Sequence, residues 1–308
     1  MTQLIEFLQQ NTSALYSVVF IFGLLFGSFF NVVIYRLPIM MNREWYQMSE
    51  SFLDEQKCTI SCPDEIKKTL GVATKEGEEP AKFNLITPDS TCPHCQHKIR
   101  SWENIPVLSY LFLRGKCSSC KNGISLRYPI VELFTATVFL FVAMNTTPDW
   151  SLIALLTFSS ILIILTGIDI DHQLLPDTLV YILLWLGLFC SIMGLTIPPA
   201  TAIMGALAGY LSLWTIFWIF KLVTKKDGMG YGDFKLLAAL AAWLGWQFLL
   251  PLMIIASVIG TIVGISSMVL FKSSNKIPFG PYLAAAGWLM MFWGDEVVHA
   301  YLVWAGLA

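Results

Sequence analysis

Charged residues are scarce in this chain. They make up 13% of its 308 residues, whereas a soluble domain carries roughly 25%. Apolar residues make up 56% of the chain, and the mean hydropathy is +0.66. The composition therefore excludes an ordinary soluble domain and indicates a protein of the membrane. The net charge of −2 argues against a nucleic-acid partner.

Basic residues are absent before the first long apolar run, and Arg36 directly follows that run. A signal peptide carries its positive charge ahead of the apolar stretch, so this pattern argues against a cleaved one. The positive-inside rule instead predicts that the N-terminus lies outside and that the loop after the first span lies in the cytoplasm.

Apolar runs long enough to cross a bilayer, which takes about 20 helical residues, recur along the chain. They predict an all-α polytopic membrane protein with about eight transmembrane helices. The predicted spans are 13–35, 128–146, 151–168, 178–195, 200–221, 235–249, 251–271 and 281–305. This arrangement puts all 19 Lys and Arg residues on one side of the membrane. The connections 168–177, 222–234 and 272–280 then lie in the cytoplasm.

The predicted domain organisation has three parts. Residues 1–37 form the first transmembrane span, residues 38–127 form a cytoplasmic loop, and residues 128–308 form a seven-span membrane domain. The first part of the loop, residues 40–81, is rich in Glu, Lys and Ser, and we interpret it as a helical insert or loop without a core of its own.

The second part of the loop carries two C-x-x-C knuckles separated by 21 residues. They supply four thiolates at the spacing of a zinc ribbon, and a cytosolic location disfavours disulfides. The predicted ligands are Cys92, Cys95, Cys117 and Cys120. Because four thiolates close the coordination sphere, the zinc is expected to be structural. Cys58 and Cys62, with a looser spacing, are interpreted as ordinary reduced thiols.

Two Asp-containing stretches lie at the predicted cytoplasmic face. Residues 168–177 read IDIDHQLLPD, and residues 228–235 read GMGYGDFK. Ionisable groups at membrane depth are costly, which suggests a function. Two adjacent carboxylates repel each other, so that one holds a proton while the other stays ionised, and such a pair can activate water. The sequence is therefore consistent with an aspartyl peptidase.

Simpler structural roles are also open for these residues. Asp177 follows a proline and is predicted to cap the next helix, Asp171 is predicted to face the cytoplasm, and Asp233 could also be only a cap. Lys235 could pair with an acid or reach the lipid head groups.

Two other classes of function use some of the same features. An ion-coupled transporter also uses paired membrane carboxylates, but it favours an acid near the bilayer centre and a repeat of two halves, and neither is apparent. A non-catalytic zinc-ribbon scaffold of a secretion machine would leave the Asp pair and the three alternating glycines of residues 228–232 without a role.

The motifs together resemble the bacterial type IV prepilin leader peptidases that also act as N-methyltransferases. The resemblance covers nearly the whole chain. It rests on GSFFNVVIYRLP at 27–38, both C-x-x-C knuckles, SWENIPVLSY at 101–110, RYPIVE at 127–132, the stretch from Asp169 to Asp177, and the GxGD signature at 230–233.

The resemblance implies cleavage of the basic leader of prepilins and pseudopilins, followed by methylation of the new N-terminus with S-adenosylmethionine. The family's two catalytic aspartates map onto Asp169 and Asp233. It further implies a multi-pass protein of the bacterial inner membrane, serving type IV pili and type II secretion, with a periplasmic N-terminus and a cytoplasmic active site. Apart from lipid and precursor proteins, no partner is implied.

The methylation site is implied by the resemblance alone. Its expected surroundings are Asn31, Arg36, Gly115 and Glu132, together with the zinc ribbon. A polar contact of Glu132 with an Arg or Asn inside the protein is the equally favoured alternative, because an acid within a membrane span needs a polar neighbour.

Overall fold

The computed structural model describes residues 11–55, 83–226, 228–271, 278–304 and 306. Over these ranges the regular structure is helical, apart from two isolated β-bridges. The helices are α1 (Thr12–Glu55), α2 (Leu108–Phe112), α3 (Arg127–Met144), α4 (Trp150–His172), α5 (Asp177–Ile192), α6 (Pro199–Thr224), α7 (Tyr231–Leu244), α8 (Leu249–Phe271) and α9 (Gly280–Trp304). Short 3₁₀ turns occupy Ser101–Asn104 and Trp246–Phe248.

The predicted all-helical membrane fold is confirmed. Among the residues that the structure describes, five helical segments are long and apolar enough to cross a membrane by length and composition, namely α1, α3, α4, α6 and Trp246–Val269, which contains most of α8. Helix α5 is apolar but shorter. The count of eight spans and the three-part division of the chain stay predictions, and Cys58, Cys62 and the loop residues Lys272 and Lys276 lie outside the described residues.

The first helix extends further than the predicted first span. The apolar run predicted a span ending near residue 35, but α1 continues past Pro38 to Glu55. A proline removes one backbone hydrogen bond of a helix without necessarily ending it. The first part of the predicted insert is thus a continuation of α1, whereas residues 56–81 lie outside the described residues.

Contacts divide the chain into two compact units, one formed by Ile21–Ala136 and the other by Met1–Phe20 with Thr137–Ala308. The larger unit is built around α7, in which each residue from Leu236 to Leu244 is buried. Helix α7 packs against α5, α6 and α9. The indole Nε1 of its Trp243 donates a hydrogen bond to the carbonyl of Leu183 at 2.9 Å.

Small residues explain how α7 reaches this central position. A Cβ added at Gly209 of α6 would lie 3.0 Å from the Leu237 carbonyl oxygen, and one added at Gly205 would clash with the Ala241 carbonyl. Small residues let membrane helices approach closely, and van der Waals packing then stabilises the pair. Asp233, in the first turn of α7, is therefore held by the most deeply packed helix of its unit.

Candidate catalytic and metal sites

Asp169 lies in the last turn of α4 and is only 5% exposed. The helix ends at Gln173, which takes a left-handed conformation with φ 51° and donates its N–H to the Asp169 carbonyl. The chain then turns through Leu174, Leu175 and Pro176 into α5. This turn ends α4 about one helical turn after Asp169.

Asp233 approaches Asp169 from the first turn of α7. It is 8% exposed, and its N–H donates to the carbonyl of the N-cap residue Gly230 at 3.3 Å. The two carboxylates are close enough to interact electrostatically. The structure thus brings together the two aspartates that the sequence motifs singled out, in a buried setting where their mutual repulsion is weakly screened.

Leu175 is the contact point of the three segments that surround the pair. A Cβ added at Gly232 would lie 3.0 Å from the Leu175 Cβ, and one added at Gly280 would lie 3.1 Å from the Leu175 Cδ2. Glycine at both positions lets the α4–α5 turn, the start of α7 and the start of α9 meet around one leucine side chain.

Gly280 was missed by the sequence reasoning. Its N–H donates to the Asp169 Oδ2 at 3.0 Å, and a Cβ added there would lie 2.5 Å from the same oxygen. The only local signal is its position between Pro278 and Pro281, a pattern typical of a turn that starts a helix. Nothing in that pattern indicates a contact with an aspartate far away in the chain.

Three charged residues lie close to Asp169 or Asp233 in the sequence, namely Asp171, Asp177 and Lys235. Asp171 is exposed, and its predicted cytoplasmic orientation stays a prediction. The prediction that Asp177 caps α5 was wrong, because the N-cap is Pro176 and Asp177 is the first helical residue. Its carboxylate pairs with the Lys235 ammonium at 2.7 Å, so one of the two options left open for Lys235 is realised. This pair joins the starts of α5 and α7.

The four predicted zinc ligands form one cluster in the smaller unit. Their sulfurs all lie within 4.8 Å of one another, with Cys92 Sγ 3.8 Å from Cys120 Sγ and Cys95 Sγ 4.0 Å from Cys117 Sγ. Sulfurs at about 2.3 Å from a tetrahedral zinc lie about 3.8 Å apart. The donor set therefore fits zinc, and the four-cysteine cluster can bind it.

The two knuckles repeat one backbone design. In each, the first cysteine donates its N–H to a carbonyl five residues later, at 2.9 Å from Cys92 and 2.8 Å from Cys117. The residue after the second cysteine, Gln96 or Lys121, has a left-handed φ of 59° or 62°. Backbone N–H groups of Cys95 and His94 lower the pKa of Cys92 to about 7, which favours the thiolate form of that residue. The backbone N–H of Asn122 lowers the pKa of Cys120, but burial and the neighbouring thiols outweigh it and raise that pKa to about 11.

Comparison of the chain with models of known protein families identifies its family. Residues 21–146 match the model described as Bacterial Peptidase A24 N-terminal domain, and residues 156–265 match the Type IV leader peptidase family. The chain belongs to the type IV leader peptidase family. The resemblance inferred from the motifs is confirmed, and the chain is an enzyme.

Individual relatives of this leader peptidase family match over nearly full length. Each is named "Prepilin leader peptidase/N-methyltransferase". The proteins from Aeromonas salmonicida, Stutzerimonas stutzeri and Pseudomonas aeruginosa are 46%, 48% and 47% identical, over 98% of this chain and 99% of their own length. No solved structure matches the chain significantly.

Two residues that the leader peptidase resemblance connected with methylation bind backbone carbonyls. Asn31 Nδ2 donates to the Tyr128 carbonyl at 3.2 Å. Arg36 donates to the carbonyls of Asn84 and Pro88, at 2.9 and 2.7 Å. These contacts join α1 to the start of α3 and to the chain segment leading into the zinc ribbon.

The other two residues of that set also make contacts within the smaller unit. Glu132 Oε2 accepts the N–H of Val107 at 2.8 Å, and the carboxylate also bonds the Ser28 hydroxyl. These two partners are a backbone N–H and a serine hydroxyl, whereas the simpler alternative had expected an Arg or an Asn. Gly115 has φ 67°, and a Cβ added to it would lie 2.7 Å from the Tyr110 hydroxyl oxygen, so a tight turn of the ribbon requires glycine there.

Proposed function

We propose that this chain cuts the basic leader from type IV prepilins and pseudopilins and then methylates the new N-terminal amine. The observation that carries the peptidase half is the buried approach of Asp169 and Asp233. The names of the full-length relatives support both halves. Type IV pili and type II secretion are the systems that such an enzyme would serve.

The contacts of this pair support a division of roles in hydrolysis. An N–H donor stabilises the ionised form of its acceptor, so Gly280 favours an ionised Asp169. Asp233 then carries the proton, because two adjacent anions in a buried site repel each other. Asp169 takes a proton from the attacking water, and Asp233 donates one to the peptide as the bond breaks.

The methylation half depends on the smaller unit. S-adenosylmethionine would supply the methyl group for the amine that cleavage exposes. We propose that Asn31, Arg36, Gly115 and Glu132 support the donor site by holding α1, α3 and the ribbon together, since their observed contacts are with the protein itself. A structural zinc at the four-cysteine cluster would stabilise the ribbon, which has few other buried apolar residues.

The proposed location is the bacterial inner membrane, with a periplasmic N-terminus and the peptidase site at the cytoplasmic face. The clustering of Lys and Arg in alternate connections supports this orientation. A leader that has not been exported would meet the aspartates on that side.

The direct test uses purified enzyme in lipid vesicles with a prepilin and isotopically labelled S-adenosylmethionine. Mass spectrometry should detect a mature pilin that has lost its leader and gained one labelled methyl group. An ion-coupled transporter or a non-catalytic scaffold would leave the prepilin intact. Cleavage without methyl transfer would refute the second half of the proposal alone.

A further inference from the structure

Residues 101–113 of the smaller unit form an apolar segment in which several large side chains are exposed. The sequence is SWENIPVLSYLFL, with one charged residue. Five of its large apolar side chains are exposed, among them Trp102 at 54%, Leu111 at 64% and Phe112 at 84%. Soluble protein surfaces rarely expose several large apolar side chains next to one another. Such a patch is typical of a surface that binds another molecule or a membrane.

The segment is attached beside the membrane-spanning helices. Val107, at the start of α2, donates its N–H to Glu132 Oε2 at 2.8 Å. Glu132 in turn packs on Gly27, where an added Cβ would lie 2.6 Å from the Glu132 Cα. Both α1 and α3 are long and apolar enough to span a membrane.

The depth of this attachment can be measured along α1. Arg36 ends the apolar run of α1 and binds the chain leading into the ribbon. Gly27 lies nine residues earlier, which is about 14 Å along a helix. A glutamate side chain is much shorter than that distance. Val107 therefore lies on the membrane side of Arg36, at the level of the apolar run.

The backbone conformation of Val107 supports a fixed attachment of the segment to Glu132. Val107 has φ 58° and ψ −46°, a conformation that a β-branched residue adopts only with strain. Such strain persists where surrounding contacts determine the conformation. The carboxylate of Glu132, which holds the Val107 N–H, is such a contact.

The charges around the segment also match a membrane surface. Glu103, its one acid, accepts the Arg100 N–H at 2.9 Å and lies 3.3 Å from His97 Nε2. Exposed cations stand at Arg100, just before the segment, and at Arg114 and Lys116, just after it. Cations flanking an apolar stretch with a Trp are typical of segments that bind anionic lipid surfaces.

We propose that residues 101–113 lie in the membrane–water interface and bind phospholipid, so that the zinc ribbon is seated on the bilayer. The apolar side chains enter the boundary between head groups and acyl chains, and Arg100, Arg114 and Lys116 bind lipid phosphates. Lipid is favoured over a protein partner because the segment is attached beside two membrane helices, on the membrane side of Arg36 and at the level of the α1 apolar run.

The test places a fluorescent amino acid at position 112 of the full chain, by codon suppression, in vesicles that contain anionic phospholipid. The matched control carries it at Asn122, which is exposed on the second knuckle of the same ribbon. Quenching is measured with aqueous iodide and with lipids that bear a nitroxide near the head group. A second probe at Leu111 covers the case in which substitution of Phe112 disturbs the ribbon.

We expect the probe at position 112 or 111 to be quenched severalfold more by nitroxide lipid, and severalfold less by iodide, than the probe at 122. Equal iodide quenching at all three positions would overturn the proposal. Protection from iodide without lipid quenching would also overturn it, because protein, either a second copy or a bound precursor, would then cover the segment. Loss of salt-sensitive lipid quenching in the Arg114→Gln/Lys116→Gln variant would support the phosphate contacts.

Discussion

Gly280 and Asp169 are 111 positions apart, yet the N–H of the first lies 3.0 Å from the Oδ2 of the second. The contact places the start of α9 directly against one member of the aspartate pair. It makes Gly280 a positioning residue, since it would act on the reaction through Asp169 and not by touching the substrate.

A methyl group at position 280 should therefore disturb the peptidase. In Gly280→Ala the new Cβ would lie 2.5 Å from Asp169 Oδ2, so the carboxylate has to move. A shift of reacting groups by about 1 Å can lower the rate about 100-fold. We expect kcat for leader cleavage to fall while the KM for prepilin changes little, as measured on purified enzyme.

The matched control for that variant is Gly260→Ala. Its Cβ would meet the ring of Tyr282 at 3.0 Å, against the same turn of α9 but away from Asp169. Gly260→Ala should keep near-normal cleavage. Equal losses in the two variants would show that α9 packing, and not the Asp169 contact, matters.

Replacing either aspartate should abolish cleavage. Proton transfer by a positioned side chain contributes about 100-fold to 10⁴-fold in rate, so Asp169→Asn and Asp233→Asn should each lose at least that much. Asp171→Asn should keep substantial activity, because Asp171 is exposed next to the buried pair. Leader removal is followed by gel shift, with membrane insertion checked in parallel. Robust cleavage by Asp233→Asn protein would rule out the dyad.

The four-cysteine cluster should hold about one zinc per chain. Elemental analysis of the purified protein should find it, and X-ray absorption should give Zn–S distances of about 2.3 Å. The Cys92→Ser/Cys95→Ser variant should lose the metal and expose the ribbon to protease. Cys190→Ala, which alters a buried thiol in α5, should keep the zinc. An ordered, protease-resistant ribbon in metal-free protein would contradict a structural role.

The two activities should be separable by mutation. The aspartates lie in the larger unit, and the residues connected with methylation lie in the smaller one. Asp169→Asn/Asp233→Asn enzyme should still transfer label from S-adenosylmethionine to a pilin cleaved in advance. Gly115→Ala and Glu132→Ala enzymes should cleave but methylate poorly. Loss of both activities in a folded dyad variant would mean that the two sites are coupled.

Local sequence was sufficient for features that depend on short patterns. Apolar runs located α3 to α9 within a few residues, because a membrane helix needs a minimum apolar length. The C-x-x-C spacing identified four cysteines that the fold brings into one cluster. The extension of α1 beyond Pro38 was missed, because helix continuation in a polar stretch carries no periodic apolar signal.

Contacts between distant segments could not be predicted in the same way. The motifs pointed to Asp169 and Asp233 but not to Gly280, whose contact depends on how α9 packs. Asp177 was taken for a helix cap because it follows a proline, yet its carboxylate instead pairs with Lys235, 58 positions away. In both cases the partner is set by tertiary packing, on which neighbouring residues in the sequence carry no information.

The short length of α7 bears on how water can reach Asp233. Its 14 residues rise about 21 Å, whereas the hydrocarbon core of a bilayer is about 30 Å thick. In the predicted eight-span arrangement one end of this helix would be recessed, and its polar groups would have to be met by protein or by solvent. The N-cap residue of α7 is Gly230, which has no side chain to cap the helix. Water drawn to those N–H groups would stand beside Asp233, so the same hydration that stabilises the helix end also supplies the reagent for peptide hydrolysis.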